Sequence, residues 1–390
     1  MHVVHVITRL ILGGAQENTV LTCEGLHRDH GDRVTLLTGP PEGPEGDLLT
    51  RARSFGYGVE VMPELVRAIR PGTDWAAYRA LRGRIRALRP EVVHTHSSKA
   101  GIVGRAAAWN EAVPAVIHTI HGLPFGPSET AMKNRAYISI ERWAAVRCHA
   151  IISVADAMTA QALEAGVGRP EQYVTVYSGM EVDDFLNPPR PRDEVRLELG
   201  LADHHVAFAT VARLFERKGH DDILDVARQV LDINPDVRFV WVGGGTWRDR
   251  LEARARELGV LDAILFTGLV PSTRIPELLG AVDAVLHPSH REGLARVLPQ
   301  GLIAGRPAIS YDVDGAREVV LHGQTGHLLP FRDRDALRKS ILALACDPPL
   351  RDRMGAAGRS LCVERFRHER MTADIRAVYE RVLAGASVRG

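Results

Sequence analysis

The stretch "SHREGLARVLPQGLIAGRPAIS", Ser289 to Ser310, sets one carboxylate, Glu292, ahead of a short apolar helix pattern, with an amide, Gln300, two helical turns later. A carboxylate accepts hydrogen bonds from hydroxyls, and an amide offers one acceptor and one donor. "VARLFERKGH" adds two cations, Arg213 at an expected strand end and Lys218 in the loop before a helix. Together they suit a diphosphate, the arginine as a planar fork and the lysine as a point charge. "RLILGGAQ" and "VGGGTW" put Gly13 and Gly14, then Gly243 and Gly244, between a strand and a helix. There the backbone can come close to a ligand, and the helix N-terminus favours an anion. Neither stretch satisfies the G-x-G-x-x-G pattern of dinucleotide binding.

Histidines form the second group. "HTIHGLPF" places His118 and His121 around a strand end, with His121 beside Gly122 able to donate to a sugar hydroxyl. "HTHSSKAG" sets His94 and His96 on one strand face, followed by Ser97, Ser98 and Lys99. Four histidines invite a zinc reading, but no carboxylate or cysteine accompanies them at ligand spacing, so no metal is expected. "YDVDG", from Asp312 to Gly315, reads as turn chemistry after a strand.

These residues need strands and helices to hold them. Short apolar runs ("HVVHVIT", "RVTLLTG", "VVHTH", then "VAFATVARL", "VRFVWVGGG", "AVLHPS") alternate with amphipathic stretches such as "LDVARQVLDIN". That alternation predicts βαβ units and parallel sheets with both faces covered. The pattern occurs twice, so the expected fold is α/β: two Rossmann-like, doubly wound domains facing across a cleft at the carboxyl ends of their strands. The expected domains are 1–186 and 205–368, joined by the proline-rich segment 187–205 as an extended connector. The final helix, 369–390, either caps the second domain or returns to the first.

Bulk properties narrow the partners. The 390 residues carry a net charge of +1, which gives no reason to expect nucleic acid. Four cysteines without a C-x-x-C suit reduced thiols. The N-terminus reads as a strand rather than a signal peptide. No apolar run approaches the ~18–20 residues of a membrane span, so the expected location is cytoplasmic. Arg67, Arg70, Arg79, Arg82, Arg84, Arg86 and Arg89 stand with Trp75 and Tyr78 in one stretch. Lys133, Arg135, Arg142, Trp143 and Arg147 form a second basic stretch. Each fits either a solvated helix face or an anionic membrane surface, which would place the chain peripherally on the inner face of a membrane.

Taken in order, Gly13-Gly14, "HTIHG", "SVADAMTAQALEAGVG", "VARLFERKG", "VGGG" and the block from Glu292 to Glu318 resemble the retaining glycosyltransferases of family 4, which have the GT-B fold. The resemblance implies that Gly14 approaches donor phosphates and that His121 contacts the donor sugar. Arg213 and Lys218 would hold the departing diphosphate, with Gly243 and Gly244 near the donor. Glu292 would bind sugar hydroxyls, with the backbone N–H groups of Leu294, Ala295 and Arg296 on sugar or phosphate. The first domain would take the acceptor, with His96, Ser98 and Lys99 as candidates. The second glutamate of the family's E-x7-E motif, which grips the ribose, falls on Gln300. That departure loses the charge-assisted part of a hydrogen bond, roughly 1–2 kcal/mol.

The implied reaction moves a sugar from a UDP- or GDP-linked donor to a glycan or lipid-linked acceptor, with retention and without metal or cofactor, as in polysaccharide biosynthesis. Two alternatives stay open. An epimerase of the same fold would need further carboxylates to move a proton on the sugar. A non-catalytic nucleotide-sugar-binding protein has Gln300 as its only hint.

Overall fold

Strands buried on both faces need apolar side chains in both directions, and the unbroken Val/Ile/Leu runs become the central strands of two parallel sheets. The computed structural model describes residues 1–40, 46–126 and 129–387. They form two compact units, Met1–Met180 with the segment from Arg367 onward, and Glu181–Phe366. In the first, β1 (His2–Ile7), β2 (Arg33–Thr38), β3 (Gly58–Val61), β4 (Val92–His96), β5 (Ala115–Ile120), β6 (Ala150–Ser153) and β7 (Tyr173–Thr175) lie in the order β3-β2-β1-β4-β5-β6-β7.

Period-two alternation sorts the side chains of this sheet. Val3, Ile7, Val92 and Ile117 enter one core, Val4, Val6, Val93 and Val116 the other. The first core is covered by the helix Gly14–Arg28 and by the C-terminal helix His368–Ser387, which contributes Met371, Ile375, Val378 and Tyr379. The second is covered by the helix Pro71–Leu88 through Ala77, Leu81 and Ile85.

The second unit holds β8 (Val206–Val211), β9 (Val237–Val242), β10 (Ile264–Gly268), β11 (Ala284–His287), β12 (Ala308–Tyr311) and β13 (Gly326–Leu329), in the order β10-β9-β8-β11-β12-β13. Its core joins Phe208, Phe239, Trp241 and Leu286 to the apolar faces of the helices His220–Ile233 and Arg334–Cys346. Within each sheet the winding reverses beside the first strand, at β1/β4 and at β8/β11. A reversal of that kind leaves a crevice at the carboxyl ends of the two strands, where open α/β sheets bind ligands.

One expectation is corrected. The segment 187–205 is no plain connector: it carries the helix Arg192–Glu198, whose Arg192 and Arg196 bond Asp283 at 2.7 and 3.4 Å. The second unit therefore starts at Glu181 instead of 205. The arginine-rich helix is also less basic than its composition, because Arg82 and Arg86 share Glu111 at 2.6 and 2.9 Å and Arg84 pairs with Glu60. Four exposed large apolar groups, Met132, Ile140, Trp143 and Val146, stand on and just after another helix, Ala131–Ala145, while Ile69 and Trp75 are exposed just before and on the arginine-rich one. Among the described residues no helix is long and apolar enough to cross a membrane.

Candidate active site

In the second unit the switch point collects the predicted chemistry. Arg213 and Lys218 follow β8, and Ser289 to Glu292 follow β11, its neighbour. Glu292 Oε1 accepts from Lys218 Nζ at 2.5 Å and from Ser289 Oγ at 3.0 Å, and lies 3.2 Å from His287 Nε2. Among the described residues all three bonds fall on Oε1, which leaves Oε2 as the oxygen that can receive a ligand hydroxyl. Burial pushes the Glu292 carboxyl upward, but the His287 hydrogen bond and the Lys218 charge outweigh it and hold the group at about 2. Glu292 is thus a fixed anion, one lone-pair set anchored and the other offered.

Its backbone is braced as well. Glu292 N donates to Asp314 Oδ2 at 2.7 Å, and Gly315 N to Gly293 O at 2.8 Å. Asp314 has φ 46, in the left-handed region that asparagine and aspartate tolerate better than most residues. The turn read from "YDVDG" therefore has a use: it aims the loop that carries Glu292. Leu294, Ala295 and Arg296 lead from that loop into the helix Val297–Ile303. Gln300 is half-buried on this helix, and its side chain makes no hydrogen bond among the described residues.

The glycines after β9 act on this site through packing. At Gly243 and Gly245 (φ 141 and 157), an added Cβ would lie 2.2 Å from Ala212 O and 2.3 Å from Leu214 O. Leu214 N donates to Gly244 O at 2.9 Å, so the turn presses on the loop that holds Arg213. The Arg213 guanidinium lies 5.0 Å from the centre of the Phe215 ring. Gly13, by contrast, caps the helix Gly14–Arg28 with φ 172, an extended conformation open to any residue.

The first unit places His121 directly after β5. A cavity of about 250 Å³ opens there, lined by Ser97, Ser98, His121, Gly122, Pro124 and Phe125 among others. Ser97 sits at φ 62, ψ 159, a region nearly reserved for glycine, and its Oγ lies 2.8 Å from Thr8 Oγ1. Such a conformation costs about 1–3 kcal/mol and concentrates at ligand sites. Ser98 is exposed beside it.

Two acceptor-side candidates are placed otherwise than expected. His96 is fully buried, with Nδ1 3.1 Å from His121 Nε2, so it touches His121 instead of solvent. Lys99 turns back to Asp74 and the carbonyl of Ala68, tying down the start of the arginine-rich helix. His118 is buried too, with Nδ1 2.9 Å from Thr95 Oγ1.

Sequence reasoning passed over His5, His287, Ser289 and Tyr379. One ring nitrogen from each of His5, His94 and His96 lies within 4.8 Å of the other two. His94 is occupied on both sides, Nδ1 2.5 Å from the Tyr379 hydroxyl and Nε2 2.6 Å from Thr119 Oγ1. The only available signal was a polar residue inside an otherwise apolar strand run, at His5 and His287.

Comparison with known proteins covers both units. Residues 13–179 match the glycosyl transferase 4-like domain, and residues 191–361 match the glycosyl transferases group 1. The chain is 26% identical over 352 residues, 89% of each protein, to the UDP-Gal:alpha-D-GlcNAc-diphosphoundecaprenol alpha-1,3-galactosyltransferase of Escherichia coli. It is 29% identical over 320 residues, 75% of this chain and 68% of the other, to the D-inositol 3-phosphate glycosyltransferase of Acidothermus cellulolyticus. Among solved structures it is similar to Anabaena HepE in complex with UDP and glucose, with TM-score 0.81 and 20% identity over 97% of this chain and 99% of that one.

Proposed function

The chain belongs to the family 4-type glycosyltransferases of GT-B fold, and we propose that it transfers a hexose from a UDP- or GDP-linked donor to a lipid-linked or growing glycan, with retention and without a metal ion. The observation that carries this reading is the arrangement of Glu292: a carboxylate with Oε1 held by Lys218, Ser289 and His287 and Oε2 left for a sugar hydroxyl. Arg213 and Lys218 meet the negative charge that grows on the diphosphate as the anomeric bond breaks, the kind of preorganised electrostatics that lowers a barrier most. His121 is assigned to the donor sugar. Gln300 is assigned to the ribose, as its place in the E-x7-E spacing implies. The E. coli relative is named for a diphosphoundecaprenol-linked acceptor, which supports a lipid-linked acceptor here.

A panel of UDP- and GDP-linked sugars tests the donor. At one hundred times its Kd, the true donor stabilises the fold by about 2.7 kcal/mol, which thermal unfolding reads as a raised Tm. The same sugar nucleotide should be slowly hydrolysed without acceptor. A panel with neither a shift nor turnover would leave the reading without a substrate.

Gln300→Ala should weaken nucleoside diphosphate binding by about 0.5–1.5 kcal/mol, the worth of one neutral hydrogen bond. Gln300→Glu should tighten it by supplying a charged acceptor for the ribose. Calorimetry on the three proteins decides. Tighter binding by the alanine variant would move Gln300 off the nucleotide.

The acceptor reading assigns membrane contact to the helix Ala131–Ala145, with Met132, Ile140, Trp143 and Val146 exposed and Lys133 and Arg135 beside them. Ile140→Ser with Trp143→Ser should lower co-sedimentation with anionic vesicles about tenfold or more, since two large apolar side chains contribute about 2–4 kcal/mol when partly buried. Rising salt should weaken binding of the parent protein. Equal recovery of parent and variant would return this helix to the solvated face.

A further inference from the structure

Three histidines, two on neighbouring strands and one directly after the next strand, form one hydrogen-bonded line. His5 Nδ1 lies 3.0 Å from His96 Nε2, and His96 Nδ1 lies 3.1 Å from His121 Nε2. The strand order explains the line. β1, β4 and β5 are adjacent, and His5, His96 and His121 share one sheet face by period-two alternation. The register pairs His5 with His94 and His96 with Thr119, so each next histidine stands two residues further along the neighbouring strand. The ring planes differ by only 14° and 27°, with centroids 5.3 and 5.4 Å apart. Those separations exceed the N···N distances by about two ring radii, so the rings meet edge to edge, with each lone pair aimed along its neighbour's N–H.

A neutral imidazole has one N–H and one acceptor, so the line runs wholly one way or wholly the other. Burial holds His5 at about 3 and is the main reason that His96 lies well below the ordinary imidazole range, so both are neutral. Run from His121 inward, the line would leave a proton on His5 Nε2, which is fully buried and has no hydrogen-bond partner among the described residues. Run from His5 outward, it leaves only a bare lone pair there. Orphaned buried N–H groups are rarer in folded proteins than under-satisfied acceptors.

We infer that His5 and His96 are positioning residues that fix His121 as the Nδ1–H tautomer, so that His121 meets its ligand as a hydrogen-bond donor and not as a base. This rests on the assignment of His121 to the donor sugar. A donor N–H suits a sugar hydroxyl or phosphate oxygen and rejects a role in removing a proton.

Long-range 1H–15N correlation spectra of the full chain, labelled at histidine, read the tautomers directly in the parent protein, with His121→Asn used to assign the signal. Expected are Nδ1–H tautomers for both His96 and His121. A Nε2–H tautomer at His121 overturns the inference, as does a stoichiometric transition metal held by His5, His94 and His96.

Activity gives a second, independent reading. His96→Asn keeps an amide donor near the place of Nδ1 and should retain turnover within about threefold. His96→Leu removes the donor and should lower kcat about tenfold, the lower range for losing an orienting partner, with the donor KM little changed. Equal losses in both variants, with unchanged Tm, would reduce His96 to a packing role and overturn the inference. If the tautomers are as expected while His121→Ala transfers sugar normally, the line stands and the assignment of His121 to the donor sugar falls.

Discussion

Lys218→Ala should lower the transfer rate by about 10²–10³, the scale for losing one preorganised charge-stabilising group. Two effects add. The departing diphosphate loses a cation, and Glu292 loses the 2.5 Å partner that helps to hold its carboxyl at about 2. Burial pushes that carboxyl upward, so without Lys218 its pKa rises back toward the ordinary carboxylate range. The sign is definite. A depressed carboxylate contributes stability that is present above its unfolded pKa and lost as pH falls through its folded one. The parent enzyme should therefore keep an ionised Glu292 from about pH 2 upward, while the variant should show an acid limb at higher pH. Turnover against pH in the parent, Lys218→Ala and Lys218→Arg proteins measures both effects. Normal turnover in the alanine variant, or an acid limb that does not move, would sink the assignment.

Glu292→Ala should reduce turnover about 10²-fold. A hydrogen bond to a charged acceptor contributes up to about 3 kcal/mol, and each 1.36 kcal/mol is about tenfold in rate. Affinity for the free nucleoside diphosphate should stay level or rise, because removing the carboxylate releases Lys218 for the phosphates. This split separates the two ends of the donor. Transfer rates and calorimetric affinities on the same preparations give the answer, and a large loss of diphosphate affinity with intact turnover would reverse the assignments. Glu292→Gln refines it: an amide keeps the shape and one acceptor but cannot hold Lys218 as an ion pair.

Much of this site was readable in one dimension. Arg213, Lys218 and Glu292 stand in loops after strand runs, where packing does not dictate the residue and unusual chemistry therefore stands out. The central strands were readable because burial on both faces demands unbroken apolar runs. Three of the four edge strands, β3, β7 and β13, were not, since each is only three or four residues long and carries a weak apolar pattern.

The sequence by itself therefore determined the two-sheet α/β plan, the glycosyltransferase family and the loops that carry the charged residues, because each depends on local pattern or on spacing within one segment. Tertiary structure decided which groups meet. Lys218 and Glu292 lie 74 residues apart in the chain. Glu111 reaches back to Arg82 and Arg86, and so removes charge from a helix that reads as basic. Tyr379, on the last helix, closes over His94, 285 residues earlier. His5 hides within an apolar strand, and only the order β1-β4-β5 and a two-residue offset per strand bring it into line with His96 and His121. Side-chain period tells which face of a strand a residue occupies, but strand order and register choose its neighbour there, and both arise from long-range packing.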